Sequence, residues 1–152
     1  MYAFVDRPVE SLSNSGRFLL WAMRGWVHAA ANGACPPQVL RQGFSVTGAL
    51  SALPDFHTAM ALIGSQAGPI LALAPMPCPR VSEHEAILLG LWQGVALEDR
   101  ATAHATLTLL TGCPDTGPAA WAMGATIERL AIAGFDPSAL LAGTLKHQES
   151  SK

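Results

Sequence analysis

Pro75-Met76-Pro77-Cys78-Pro79-Arg80-Val81-Ser82-Glu83-His84-Glu85 is the stretch on which the reading of this chain turns. Three prolines at alternate positions exclude helix and favour a stiff extended path. Ser82 and Glu85 then carry the S-x-x-E spacing of a capping box, in which each side chain satisfies a backbone N–H at a helix start. The stretch therefore predicts a rigid loop delivering the chain into a strongly capped helix. It also gathers a thiol (Cys78), a guanidinium (Arg80) and a helix N-terminus (Ser82 to Glu85), a set that can bind an anion or activate a thiolate. The plainer reading is a packed cysteine in a structural loop.

The capped helix extends to about Leu97, with Ile87, Leu88, Leu91, Trp92 and Val95 as its core stripe. Ala86, Gly90 and Gly94 form a separate face of small residues. Glycine inside a helix costs roughly 1 kcal/mol relative to alanine, so this face predicts a close approach by another helix, within the subunit or across a dimer. The same punctuation divides the rest of the chain. A first helix runs from about Gly16 to Ala31, capped by Ser13 or Asn14 and stopped at Asn32-Gly33. Cys35-Pro36-Pro37 opens a second, with Val39, Leu40, Gly43, Phe44, Thr47 and Leu50 inward. Leu53-Pro54-Asp55 starts a third, carrying Phe56, Ala59, Met60 and Ile63 inward. Ile70 to Leu73 reads as buried extended chain.

Glu98-Asp99-Arg100 opens a fifth helix ending at Gly112, and Cys113 to Pro118 is a tight loop into a sixth with Trp121, Met123, Ile127 and Leu130. Asp136-Pro137 reads as the start of a final short helix through Leu140 and Leu141. The expectation is an all-α single domain, a bundle or orthogonal array of about six to seven helices. Residues 1–13 form an irregular arm, 14–146 the helical domain and 147–152 a frayed tail.

Composition narrows the function classes. The chain has 152 residues, half of them hydrophobic and 13% charged, against a usual charged share of about 25%. Its mean hydropathy is +0.30. A chain this poor in charge has either a largely uncharged surface or apolar area covered by a partner, and two-fold homodimers are the commonest such cover. Arg24 and His28 interrupt the first apolar segment, and Gly or Pro breaks the later ones, so no membrane span is expected. The start, Met1 to Arg7, lacks the form of a signal peptide, and a cytoplasmic location is the expectation. A net charge of −2 and the lack of a basic recognition helix argue against nucleic acid. Cys35, Cys78 and Cys113 are widely spaced and form neither a disulfide framework nor a zinc signature.

Two constellations carry candidate chemistry. Arg17, Trp21, Arg24 and His28 fall within about 60° on the first helix. The arginines and histidine there could grip a carboxylate or phosphate against the indole; alternatively, arginine stems cover a tryptophan at the surface. Arg17, Trp21, Arg24, His28, Cys78, Arg80, Ser82 and Glu85 are the candidate ligand-binding residues. Cys78 is the candidate nucleophile, with His84 or His57 as base. Glu83-His84-Glu85 are consecutive, so their side chains diverge, and no metal or cofactor is expected. Glu128, sharing a face with Trp121, Gly124 and Ala125, suits a helix-surface or interface ion pair better than the alternative, a buried functional carboxylate.

The pairing of Arg17-Phe18-Leu19-Leu20 at a helix start with Cys78-Pro79-Arg80-Val81-Ser82 before a capped helix resembles small α-proteobacterial proteins of unknown function. That resemblance implies no activity and assigns no residue a role. The functional expectation is a homodimeric helical binding or interaction module, with a pocket for a small anionic or apolar ligand. The alternative is a thiol-dependent enzyme centred on Cys78.

Overall fold

A computed structural model describes residues 4–67 and 73–141, with six α-helices and no strands among them. The helices are α1 (Asn14–Ala31), α2 (Pro36–Val46), α3 (Leu53–Ala67), α4 (Glu83–Ala96), α5 (Arg100–Thr111) and α6 (Gly117–Ile132). The fold is all-α, as the sequence pattern implies.

Local chemistry accounts for the boundaries. Ser13 caps α1 by accepting from the Gly16 N–H, and Asp99 caps α5 by accepting from Thr102. Pro36 and Pro37 occupy the first turn of α2, where their missing N–H groups are not needed. The Ser82–Glu85 capping box is complete: Glu85 N–H donates to Ser82 Oγ, and Ser82 N–H to Glu85 Oε1. Gly112, at φ 68°, closes α5 in the left-handed conformation.

Helix α3 lies at the centre, packed against α6, α5 and α2, while α1 packs on α2 and α4. Phe56, Ala59, Met60 and Ile63 of α3 are buried, as their spacing predicts. Phe56 stacks on Trp92 of α4, and Phe18 of α1 meets Phe44 of α2 edge-on. The predicted α2 stripe is only partly inward. Leu40 and Phe44 are buried, but Val39 is 53% exposed and Leu50 lies beyond the helix end, in a short 3₁₀ turn, Leu50–Ala52. The helix stops at Val46, before its apolar period could bring Leu50 round.

Two further expectations are corrected. Asp136-Pro137 starts no helix; the Asp136 carboxylate instead accepts from the Ser138 N–H and hydroxyl, an Asx-type turn that competes with helix formation. The arm before α1 packs onto the core, with Phe4 and Leu12 buried and a 3₁₀ turn at Val9–Ser11. The proline segment is not a straight run, because Cys78 N–H donates to the Pro75 carbonyl and turns it at Met76-Pro77. Arm and segment are tied together: Asp6 N–H donates to Val81 O, Val81 N–H to Arg7 O and Val9 N–H to Pro79 O. The extended-chain expectation for residues 70–72 and the tail expectation for 147–152 lie outside the described residues.

Candidate functional site

The predicted anion site before α4 is filled by the chain itself. Arg24, on the buried side of α1, donates from Nε to Glu85 Oε2 at 2.7 Å and from Nη2 to Oε1 at 3.0 Å. Its remaining N–H groups reach the carbonyls of Met76 (3.1 Å), Cys78 (2.9 Å) and Arg80 (2.9 Å). Glu85 also accepts from the Ala74 N–H at 2.8 Å. Both side chains are buried. Burial by itself pushes the Glu85 carboxyl up. The Arg24 hydrogen bonds, the Ser82 and Ala74 N–H groups and the Arg24 charge outweigh it and hold the carboxyl below its ordinary value. Glu85 thus supplies the negative charge that the start of α4 favours, and the guanidinium neutralises it.

The other sequence candidates are placed around this lock rather than around an opening. His28 Nε2 lies 3.1 Å from the Ala74 carbonyl. The Arg80 guanidinium donates to the Asp6 carbonyl at 2.8 Å, which ties the arm down. Cys78 Sγ–H points to its neighbour's carbonyl, Arg80 O, at 3.5 Å. Trp21 turns to α2, where its ring covers Gly43 so closely that a Cβ there would stand 2.2 Å from Cη2. Arg17 pairs locally with the Asn14 side-chain oxygen. The four members of the α1 face therefore have four different partners.

An open concavity lies elsewhere, between the α4–α5 corner and α6. It encloses about 580 Å³, and its lining includes Ala96, Ala103, Ala120, Trp121, Gly124 and Glu128. Small residues make this space, because α6 presents Gly117, Ala120 and Gly124 where larger side chains would close it. A Cβ on Gly124 would meet nothing within 4 Å. Trp121 is 75% exposed at this groove, and Ile132, three turns further along α6, is 79% exposed. Glu98, Asp99, Arg100 and Glu128 bring charge to the same groove. His104 is hydrogen-bonded within it to the Thr116 hydroxyl at 2.7 Å. Glu98 sits at φ 60°, a left-handed conformation that glycine takes at Gly33, Gly48, Gly112 and Gly134.

The shared face of Trp121, Gly124, Ala125 and Glu128 is legible from helical spacing; its neighbour across the groove, the α4–α5 corner, is not. The small-residue face of α4 is divided, with Ala86 buried, while a Cβ on Gly94 would meet nothing within 4 Å, so no described helix packs closely there. Among the described residues no three His, Cys, Asp or Glu side chains converge as a metal site. No described helix is long and apolar enough to cross a membrane. Comparison with family models, curated proteins and solved structures finds no match to this chain.

Proposed function

We propose that this protein is a self-associating helical module whose contact surface is the exposed face of α6 and the groove beside it. The carrying observation is the pair Trp121 and Ile132, 75% and 79% exposed on one helix face, with Gly124, Ala125, Glu128 and Arg129 between them. Large aromatic residues are the side chains that anchor protein interfaces, and their burial is worth a few kcal/mol each. Gly124 and Ala125 lie between them and leave room for a second backbone to come near. A two-fold axis through this point would set α6 against its own copy, an isologous contact in which each Trp121 meets the partner's face. The low charge content of the chain is the compositional counterpart of such a surface.

The test is sedimentation velocity and native mass spectrometry on the wild type, Trp121→Ala and Gly124→Gln. The wild type is expected to be a dimer, and each variant a monomer with an unchanged helical circular-dichroism spectrum. Gly124→Gln discriminates best, because a Cβ at this position meets nothing within 4 Å in the subunit and the longer side chain would stand in the way of an approaching copy. A wild type that stays monomeric at tens of micromolar, or a Gly124→Gln variant that dimerises as well as the wild type, refutes the reading.

A further inference from the structure

A second groove, between the start of α2 and α3, has the opposite chemical character. It encloses about 540 Å³ and is lined by Leu50, Leu53 and Pro54 together with the polar side chains of Gln38, Arg41 and His57. No carboxylate is among its described lining residues, and Arg41 is the one full positive charge among them. Among the described residues the Arg41 guanidinium has no hydrogen-bond or ion-pair partner.

His57 is prepared as a donor from behind. The Trp26 indole N–H, on α1, donates to His57 Nδ1 at 2.9 Å, and the two rings lie 5.9 Å apart. An indole nitrogen can only donate, so Nδ1 must be the accepting, unprotonated nitrogen of the imidazole. The ring proton is therefore on Nε2, at the edge turned away from Trp26. Trp26 is itself buried, so this tautomer is fixed by the core rather than chosen by solvent. Arg41 and His57 both line the groove beside Leu50, Leu53 and Pro54, so a guanidinium and an imidazole N–H belong to one apolar-walled site. The start of α2, with its positive dipole end, adds to the same sign of potential.

We propose that this groove binds a small organic carboxylate with an apolar body. The carboxylate lies on Arg41 and His57 Nε2–H, and the hydrocarbon lies over Leu50, Leu53 and Pro54. Charge complementarity selects the head group, because an amine would meet Arg41 with nothing to neutralise it. The half-exposed Leu50 and the proline ring give the body its contact. This site is independent of the α6 surface, and neither proposal needs the other.

The four tryptophans make the experiment local, since each indole N–H gives its own resonance. The ¹⁵N-labelled full-length protein is titrated with sodium octanoate, octylammonium chloride and 1-octanol. Octanoate is expected to move the Trp26 indole N–H and the His57 ring resonances saturably while leaving Trp121 in place. Octylammonium should not move them, and octanol should bind more weakly. Arg41→Gln, an exposed substitution that leaves the core untouched, should weaken octanoate by about tenfold, the loss expected for a charge-assisted hydrogen bond. Arg41→Lys should recover part of that loss. Equal binding of octanoate and octanol, an unaffected Arg41→Gln variant, shifts confined to Trp121, or no saturable shift at Trp26 would each overturn the proposal.

Discussion

Arg24 Nε stands 2.7 Å from Glu85 Oε2, and this buried contact joins two helices whose paired residues are 61 positions apart. The two side chains do more than neutralise each other. The prolines at 75, 77 and 79 supply no N–H, so the carbonyls of Met76 and Cys78 between them, and of Arg80 after them, find no ladder of regular backbone donors. Arg24 supplies all of those donors at once. Glu85 in turn takes up the N–H groups of Ala74 and Ser82. The pair is the point on which the whole proline segment is folded.

Removing one partner leaves a buried charge and several orphaned backbone groups. Arg24→Met and Glu85→Leu are each expected to destabilise the fold by about 3–5 kcal/mol, read by urea denaturation. Isolated buried ion pairs can often be replaced by apolar residues without loss. Here the double variant is expected to remain destabilised by about 2 kcal/mol or more, because three carbonyls and two N–H groups still lack partners. Wild-type stability in the double variant would show that the backbone contacts contribute little.

The lowered Glu85 carboxyl sets a pH dependence with a definite sign. In the unfolded chain a glutamate titrates near about 4.3. On acidification the unfolded state takes its proton first, so stability falls as pH falls. The contribution of Glu85 is complete above the unfolded value and is lost as the pH drops through the lower, folded one. Glu85→Gln removes this titration and keeps the shape of the side chain. As the pH falls below the unfolded value, the wild type should lose stability more steeply than Glu85→Gln. Parallel curves would mean that the carboxyl is not held down by its partners.

Much of the fold could be read from local signals and much of the site could not, for one reason. Capping by Ser82 and Glu85, the prolines opening α2 and the inward stripe of α3 depend on residues within a turn or two of each other. The sequence pattern places Arg24 on one face with Arg17, Trp21 and His28, but angular position on a helix says nothing of what lies opposite. The identity of that neighbour separates Arg24, locked to Glu85, from Trp21, packed on Gly43. Asp136-Pro137 carries both a helix-start and a turn signal, and the Ser138 hydrogen bonds decide it for the turn. The groove beside Trp121 is a property of three elements together, so only half of it is visible in the spacing of α6.

Cysteine reactivity separates a structural Cys78 from a catalytic one. Cys35 is exposed, whereas Cys78 and Cys113 are partly covered. The guanidinium nearest in sequence to Cys78 is turned to Asp6, and the negative charge of Glu85 already occupies the start of α4. Alkylation followed by peptide mapping should therefore modify Cys35 first. Cys78→Ser should leave stability within about 0.5 kcal/mol of the wild type and association unchanged. Labelling of Cys78 ahead of the exposed Cys35 would reveal an activated thiolate and restore the case for thiol chemistry.

Two glycines inside helices should respond to the same substitution with opposite signs. At Gly43 an added Cβ would meet Cη2, Cζ2 and Cζ3 of Trp21 at 2.2, 2.7 and 3.0 Å. The indole is rigid and wedged against Phe18 and Phe44, so it cannot swing aside without disturbing the α1–α2 contact. Gly43→Ala should therefore destabilise the protein by about 1–3 kcal/mol, despite the better helix propensity of alanine. At Gly124 the added methyl meets nothing, and Gly124→Ala should raise stability by up to about 1 kcal/mol. Thermal or urea unfolding of the two variants reads both numbers, at concentrations where the association state has been measured, since coupled dimer dissociation shifts the midpoint. If Gly43→Ala were as stabilising as Gly124→Ala, the close packing of Trp21 on α2 would be wrong. If Gly124→Ala were destabilising only at concentrations where the protein associates, the loss would lie in the contact between copies rather than in the subunit.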